Sequence, residues 1–135
     1  MEPTESKRGG ILLRDGEALW FVPASVAVKV APLPEVTRVP GAPAELLGIA
    51  QIDGEILPVI ALGNDRPKAG GALLVCSYLG EEIGLVGGQI VGTGSFEVDE
   101  DGASVSYAGE SARPLDLAAI YARLQSGPWA GRWRG

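Results

Sequence analysis

Apolar residues in this chain fall in short runs, each closed within a few positions by glycine, proline or an acidic side chain. Runs of that length predict strands joined by tight turns rather than helices. Residues 11–14 (Ile-Leu-Leu-Arg) and 18–22 (Ala-Leu-Trp-Phe-Val) flank Asp15-Gly16 and predict a first hairpin, ended by Pro23. Residues 25–30, SVAVKV, alternate poorly and fit either a strand or a short helical turn. Pro32, Pro34, Pro40 and Pro43 then interrupt regular structure across residues 31–43. Pro40 and Pro43 have PxxP spacing, but a hydrophobic strand follows at once, so a fixed loop is the better reading. Residues 48–62, GIAQIDGEILPVIAL, carry the strongest hairpin signal of the chain, two apolar runs around Asp53-Gly54. Pro58 removes one backbone donor from the second run, which predicts a sheet edge, a strand start or a bulge.

Further along, residues 63–71 form a polar connection with Asn64, Asp65 and Pro67. Residues 73–79 and 82–86 predict another hairpin, around Gly80-Glu81. Ile90-Val91 leads towards residues 96–98, and Asp101-Gly102 turns the chain into residues 105–107. Residues 114–124 change period: Leu117, Ile120, Tyr121 and Leu124 share one helical face. Pro114 suits the first turn of that helix, and Gly127 with Pro128 ends it. The pattern predicts an all-β fold with one short C-terminal helix. Residues 1–9 read as a flexible leader, 10–125 as a single domain, and 126–135 as a tail containing Trp129 and Trp133.

Composition sharpens this picture. A chain of 135 residues suits one compact domain, and 46% hydrophobic residues argue against wholesale disorder. The 20 glycines and 10 prolines supply the turns that many short strands need. With 11 basic and 17 acidic residues the net charge is −6, the wrong sign for nonspecific nucleic-acid binding. The acidity reads as solubility, with a basic partner surface as the second reading. Cys76 is the single cysteine, so it forms no internal disulfide, and its strand-like setting suits a small hydrophobe. The polar N-terminus, MEPTESKRGG, is no secretory signal, and no window approaches a membrane span. A cytoplasmic protein without direct membrane insertion is expected.

Candidate chemistry is sparse. The chain has no histidine, which removes the commonest general base and metal ligand. A Cys–His pair and the usual zinc sites are excluded with it. Ser95 follows Gly94 without a nucleophile elbow, and Gly87-Gly88 and Gly92-Thr93-Gly94 match no phosphate-binding fingerprint. The acidic run Glu97, Asp99, Glu100, Asp101 lacks the register of a calcium loop and reads as a hydrated turn. No catalytic residue, cofactor or metal is expected. A hydrolase built on scattered carboxylates is the enzymatic alternative, and nothing selects a pair for it.

The order of residues around the central hairpin resembles the signature of the CheW-like family, couplers that join chemoreceptors to a histidine kinase in bacterial signalling. In that family a proline-containing loop leads into GV-NLRG-I-PV-DLR. Here Val39-Pro40-Gly41-Ala42-Pro43 leads into Gly48-Ile49, Gly54, Ile56 and Pro58-Val59-Ile60. The resemblance covers residues 10–124, is strongest over 39–62, fair at Leu79-Gly80 and Ile83-Gly84-Leu85-Val86, and weak after Phe96. It implies two small five-stranded SH3-like β-barrels packed around a shared core. Residues 102–113 are shorter than the family's stretch, so one strand is expected to be missing or displaced.

The resemblance also implies partners: the cytoplasmic helical hairpin of a chemoreceptor, held in a groove between the barrels, and the regulatory domain of a CheA-type histidine kinase on one barrel face. Strand edges and grooves of small barrels suit such recognition. Candidate protein-binding residues are Val36, Arg38 and Val39 before the hairpin and Gly48, Gln51, Asp53 and Glu55 around it. Backbone geometry is the competing explanation for Gly48, core packing for Val39, and turn preference for Asp53. Charged positions depart from the family: its arginine is Asp53, its DLR is Ala61-Leu62-Gly63, and Gly87-Gly88 replaces Val-Asp. Aspartate only accepts hydrogen bonds where arginine offers a fork of donors. The divergence leaves two non-catalytic readings, a coupler that binds receptor and kinase, and an interaction module that couples no kinase and scaffolds or competes in another assembly.

Overall fold

The computed structural model describes residues 7–41, 46–62 and 72–124. Among these, ten strands precede one helix: Lys7–Asp15 (β1), Ala18–Pro23 (β2), Ala27–Pro32 (β3), Leu46–Ile52 (β4), Glu55–Ala61 (β5), Ala72–Tyr78 (β6), Glu81–Val86 (β7), Gln89–Glu97 (β8), Val105–Tyr107 (β9), Glu110–Pro114 (β10) and Leu117–Leu124 (α1). They form two five-stranded sheets, ordered β8-β1-β2-β10-β9 and β3-β6-β7-β5-β4. The chain divides into two compact units, Met1–Ala27 with Gly88–Leu115 and Val28–Gly87 with Asp116–Gly135. The all-β expectation, with one short helix and two five-stranded sheets, holds. Each sheet is mainly antiparallel and contains one parallel pair, β10 with β2 and β5 with β7.

In the first unit Leu12, Leu19, Phe21, Val105 and Ala112 form the buried cluster. Alternation puts Leu19 and Phe21 on the same face of β2. Phe96 meets Phe21 edge-on at 6.4 Å and Tyr107 edge-on at 6.0 Å, the arrangement aromatic quadrupoles favour. The Tyr107 hydroxyl donates to the Val91 carbonyl at 2.9 Å, so the half-buried ring does not leave its polar end unpaired. Just past β8, Val98 bridges Val105 of β9, and the two edges of this sheet meet.

The second unit repeats the device with different residues. Ala50, Ile52, Leu57, Val59, Leu73, Val75 and Val86 form its buried cluster, with Leu33 and Val36 packed against it. Just past β3, Thr37 exchanges two backbone hydrogen bonds of 2.8 Å with Ile49 of β4, joining the outer strands. Closure of this kind removes open edges that would otherwise pair with other chains. The helix α1 belongs to this unit. Asp116 caps it by accepting the Ala119 N–H at 3.0 Å, and Leu117, Ile120 and Tyr121 are buried. The Tyr121 ring lies 5.3 Å from that of Tyr78, and its hydroxyl donates to the Glu81 carbonyl.

Several expectations need correction. Pro114 ends β10 rather than opening the helix, because the Asp116 cap sets the start at Leu117. No strand of either sheet is missing: β9 and β10 form a tight hairpin around Ala108-Gly109, both with positive φ. Of residues 25–30, the last four belong to a strand, β3, which runs on to Pro32, and the first two lie in the turn before it. β1 begins at Lys7, inside the expected leader, where Lys7 pairs with Glu97. The first turn is Gly16-Glu17, between the paired Asp15 and Ala18, and the third is Leu79-Gly80, one residue earlier than expected. Pro58 lies in β5, an interior strand of its sheet. The sheet tolerates it because Ile49, opposite, directs both backbone groups to Thr37, and pairing with β7 begins only at Val59. The connection at 63–71, the helix stop at Gly127-Pro128 and the Trp129/Trp133 tail lie outside the described residues.

Candidate functional site

The hairpin β4–β5 organises a cleft on the second unit. Its turn is Asp53-Gly54, with φ of 52° and 85°, between the paired Ile52 and Glu55. Two successive positive φ values are what a two-residue hairpin turn requires, and Asp-Gly supplies them with little strain. One face of the hairpin, through Ala50, Ile52, Leu57 and Val59, enters the core. The opposite face carries Ile49, Gln51 and Ile56. Together with Pro34, Glu35 and Thr37 of the segment after β3, it lines a cleft of about 380 Å³. Ile56 is half exposed there. The cleft has a mixed polar and apolar lining and carries one carboxylate, Glu35, and no basic side chain.

Gly48 holds this arrangement together. A Cβ at this position would stand 2.1 Å from the Thr37 carbonyl oxygen and 2.9 Å from Val36 Cγ1. Only glycine lets the proline-bounded segment approach β4 closely enough to form the Thr37–Ile49 bridge. The prolines on either side confine that segment to a single bridge rather than a ladder.

The seven expected contact residues separate into groups. Gln51 lines the cleft. Val36 is half-buried against the core and Gly48 is buried beneath Thr37, so both build the cleft wall rather than its surface. Arg38 is exposed and Val39 half-buried beyond the bridge. Asp53 and Glu55 are exposed at the hairpin tip, outside the lining. Asp53 has a partner the sequence did not reveal: the Lys29 ammonium of β3 donates to Asp53 Oδ2. Lys29, Glu35 and Ile56 were thus missed. Ile56 had a signal, since an apolar residue paired with polar Gln51 across a hairpin falls on its outer face.

Two carboxylates of the acidic turn in the first unit, Asp99 and Asp101, are bonded within it. Asp101 accepts the N–H groups of Ala103 at 2.9 Å and Ser104 at 2.8 Å, and these bonds lower its pKa below the ordinary value. Asp99 accepts the hydroxyls of Ser106 and Ser111. Glu110 receives a two-pronged hydrogen bond from Arg14, at 3.0 and 2.7 Å, which lowers its pKa as well. Cys76 is fully buried in β6, and desolvation pushes its thiol up to about 12. A thiol held protonated to that extent is a poor nucleophile. Among the described residues no group of three or more His, Cys, Asp or Glu could hold a metal ion, and no helix is long and apolar enough to cross a membrane.

Comparison with known proteins agrees with this architecture. No curated protein matches the sequence. Among solved structures, the scaffolding protein TtCheW from Thermoanaerobacter tengcongensis superposes with a TM-score of 0.67. The match covers 82% of this chain and 90% of that one, at 16% identity, a level that speaks for the fold. The family model of the CheW-like domain matches residues 9–121, spanning both sheets and most of the helix. The chain belongs to the CheW-like domain family.

Proposed function

We propose that this chain is a non-catalytic coupling or scaffold protein of bacterial chemosensory signalling. It binds the cytoplasmic helical hairpin of a chemoreceptor and the regulatory domain of a CheA-type histidine kinase, and acts in the cytoplasm. The observation that carries this reading is family membership over residues 9–121, with both five-stranded sheets present. The open cleft of mixed polarity beside β4 supports it, since small barrels recognise protein segments through grooves and edges. Residues around that cleft and hairpin, Val36, Arg38, Val39, Gly48, Gln51, Asp53 and Glu55, are the proposed recognition region. Gly48 and Val36 contribute by shaping the cleft, the others by contact.

One observation favours the second reading, an interaction module that couples no kinase. Where the family places arginine, Asp53 pairs with Lys29. A partner that presents a carboxylate to the family's arginine meets a carboxylate here, and like charges brought together disfavour association. Titration of the full chain against a receptor helical hairpin and, separately, a CheA-type regulatory domain distinguishes the two. Coupling requires both to bind. Binding of the receptor hairpin alone selects the second reading, and binding of neither removes the coupler and leaves only a module of another assembly.

A further inference from the structure

We infer that the cleft beside β4 seats an arginine side chain of a protein partner, with its guanidinium held by Glu35. The inference rests on the recognition role proposed above for this cleft and adds to it a residue and a partner chemistry. Thr37 and Ile49 exchange both of their backbone hydrogen bonds, and the bridge between the two segments stops there. Strand alternation turns the backbone groups of Gln51 to the same open edge of β4 as those of Ile49. Continued antiparallel pairing would set Glu35 opposite Gln51, yet among the described residues no backbone bond joins them. Pro34 has no N–H to extend the ladder. The Gln51 carbonyl is thus left without a backbone partner at a cleft of about 380 Å³ that Glu35 and Thr37 also line.

Charge and lining then select the occupant. Glu35 is exposed and, among the described residues, makes no ion pair and no side-chain hydrogen bond. Lys29 of β3 is engaged by Asp53 at the hairpin tip, and the cleft lining holds no basic side chain. The rest of the lining includes the apolar Pro34, Ile49 and Ile56. A purely apolar side chain would strip water from the Glu35 carboxylate without bonding it, and an acidic one would meet like charge. Arginine joins an apolar stem, suited to Ile49 and Ile56, to a planar fork that grips a carboxylate through two parallel bonds. Its remaining N–H groups suit the neighbouring Gln51 carbonyl and Thr37 hydroxyl, which a compact lysine ammonium serves less well. The net charge of −6 favours approach of a basic surface as a whole.

The test uses the full chain as wild type, Glu35→Gln and Glu17→Gln. Glu17, exposed in the first turn of the other unit, undergoes the same charge change away from the cleft. Backbone amide resonances are followed while N-acetyl-arginine amide, its neutral isostere N-acetyl-citrulline amide, or N-acetyl-lysine amide is added. Arginine amide is expected to shift Thr37 and Gln51 saturably in wild type and Glu17→Gln, and to bind Glu35→Gln about tenfold more weakly. Equal shifts from the arginine and citrulline probes, equal binding by wild type and Glu35→Gln, or lysine amide binding as tightly as arginine amide overturns the inference. Calorimetric titration against a receptor helical hairpin and a CheA-type regulatory domain extends the test to whole partners. At least one is expected to bind Glu35→Gln about tenfold more weakly than it binds the other two chains. Unchanged affinity for every partner that binds overturns the inference and leaves the coupling reading intact. Binding of neither partner to wild type removes the coupling reading, and the arginine amide titration then upholds or overturns the cleft's chemistry by itself.

Discussion

The two five-stranded sheets solve one problem in different ways. Both bring their outer strands together through a single backbone bridge placed just after a strand, Val98–Val105 in the first unit and Thr37–Ile49 in the second. In the first unit the bridge is surrounded by groups that satisfy each other: the Phe21–Phe96–Tyr107 aromatic contacts, the Asp99 and Asp101 turn, and the Arg14–Glu110 pair. In the second the bridge depends on an absence, the missing side chain of Gly48. That close approach leaves a cleft beside the bridge, and the same unit carries the exposed Val28, Val30, Ile56 and Leu79. Around the first bridge the described polar groups bond to one another, whereas the second unit has a cleft beside its bridge and the exposed large apolar side chains.

The largest expected effect comes from the aromatic side. Phe21→Ala removes a fully buried ring at the centre of the first cluster and should cost about 3–5 kcal/mol in urea unfolding. Gly48→Ala in the second unit should cost about 2–3 kcal/mol, because its Cβ collides with backbone rather than with a movable side chain. Hydrogen exchange of the Thr37 and Ile49 amides reads the site directly. Both should lose protection in Gly48→Ala and keep it in Phe21→Ala. Equal protection in the two variants would break the claim that Gly48 controls the bridge.

Opposite pH limbs sharpen the contrast further. Asp101 and Glu110 of the first unit are held below their ordinary carboxylate values, by backbone N–H groups and by Arg14 respectively. Their contribution is present above the unfolded-state carboxylate range and is lost as pH falls through the depressed folded values. Cys76 of the second unit is raised from 9.0 to about 12, so its contribution is complete below about 9 and is lost as pH rises towards 12. Asp101→Asn should flatten the acid limb of a melting-temperature profile, and Cys76→Ala the alkaline limb. A Cys76→Ala profile with an unchanged alkaline limb would show that burial of the thiol does not set it.

The smallest effect concerns Asp53. Asp53→Arg breaks the exposed pair with Lys29, puts two cations side by side, and removes a favoured turn residue. Exposed pairs contribute little, so a loss of about 1 kcal/mol or less is expected in thermal melts. A loss several times larger would mean that the Lys29–Asp53 contact fixes the hairpin against β3.

Much of this fold was legible because turns announce themselves locally. Asp53-Gly54 between apolar runs located β4 and β5, and the helical face of Leu117, Ile120 and Tyr121 located α1. What stayed hidden depends on residues distant in sequence or on the backbone alone. Lys29 and Asp53 are 24 positions apart, and no local pattern pairs them. Thr37 sits among prolines that mask a one-residue bridge. The β9–β10 hairpin was missed because VSY and ESARP are short and mostly polar, and Ala-Gly is a weak turn signal. Leu79 was read as the end of a strand because a leucine rarely occupies a left-handed turn. Of the candidate contact residues, Gln51 lines a cleft, Gly48 lies against Thr37, and Asp53 pairs with Lys29.

The coupling role is tested most directly by reconstitution. Phosphate incorporation is followed in a mixture of a CheA-type kinase and chemoreceptor-containing membranes, with and without the full chain. Receptor-dependent phosphorylation should rise in proportion to added chain, saturate near the kinase concentration, and weaken in Gly48→Ala. Kinase activity that stays at its receptor-free level at saturating chain, while the chain binds the receptor hairpin, would contradict coupling and leave an interaction module.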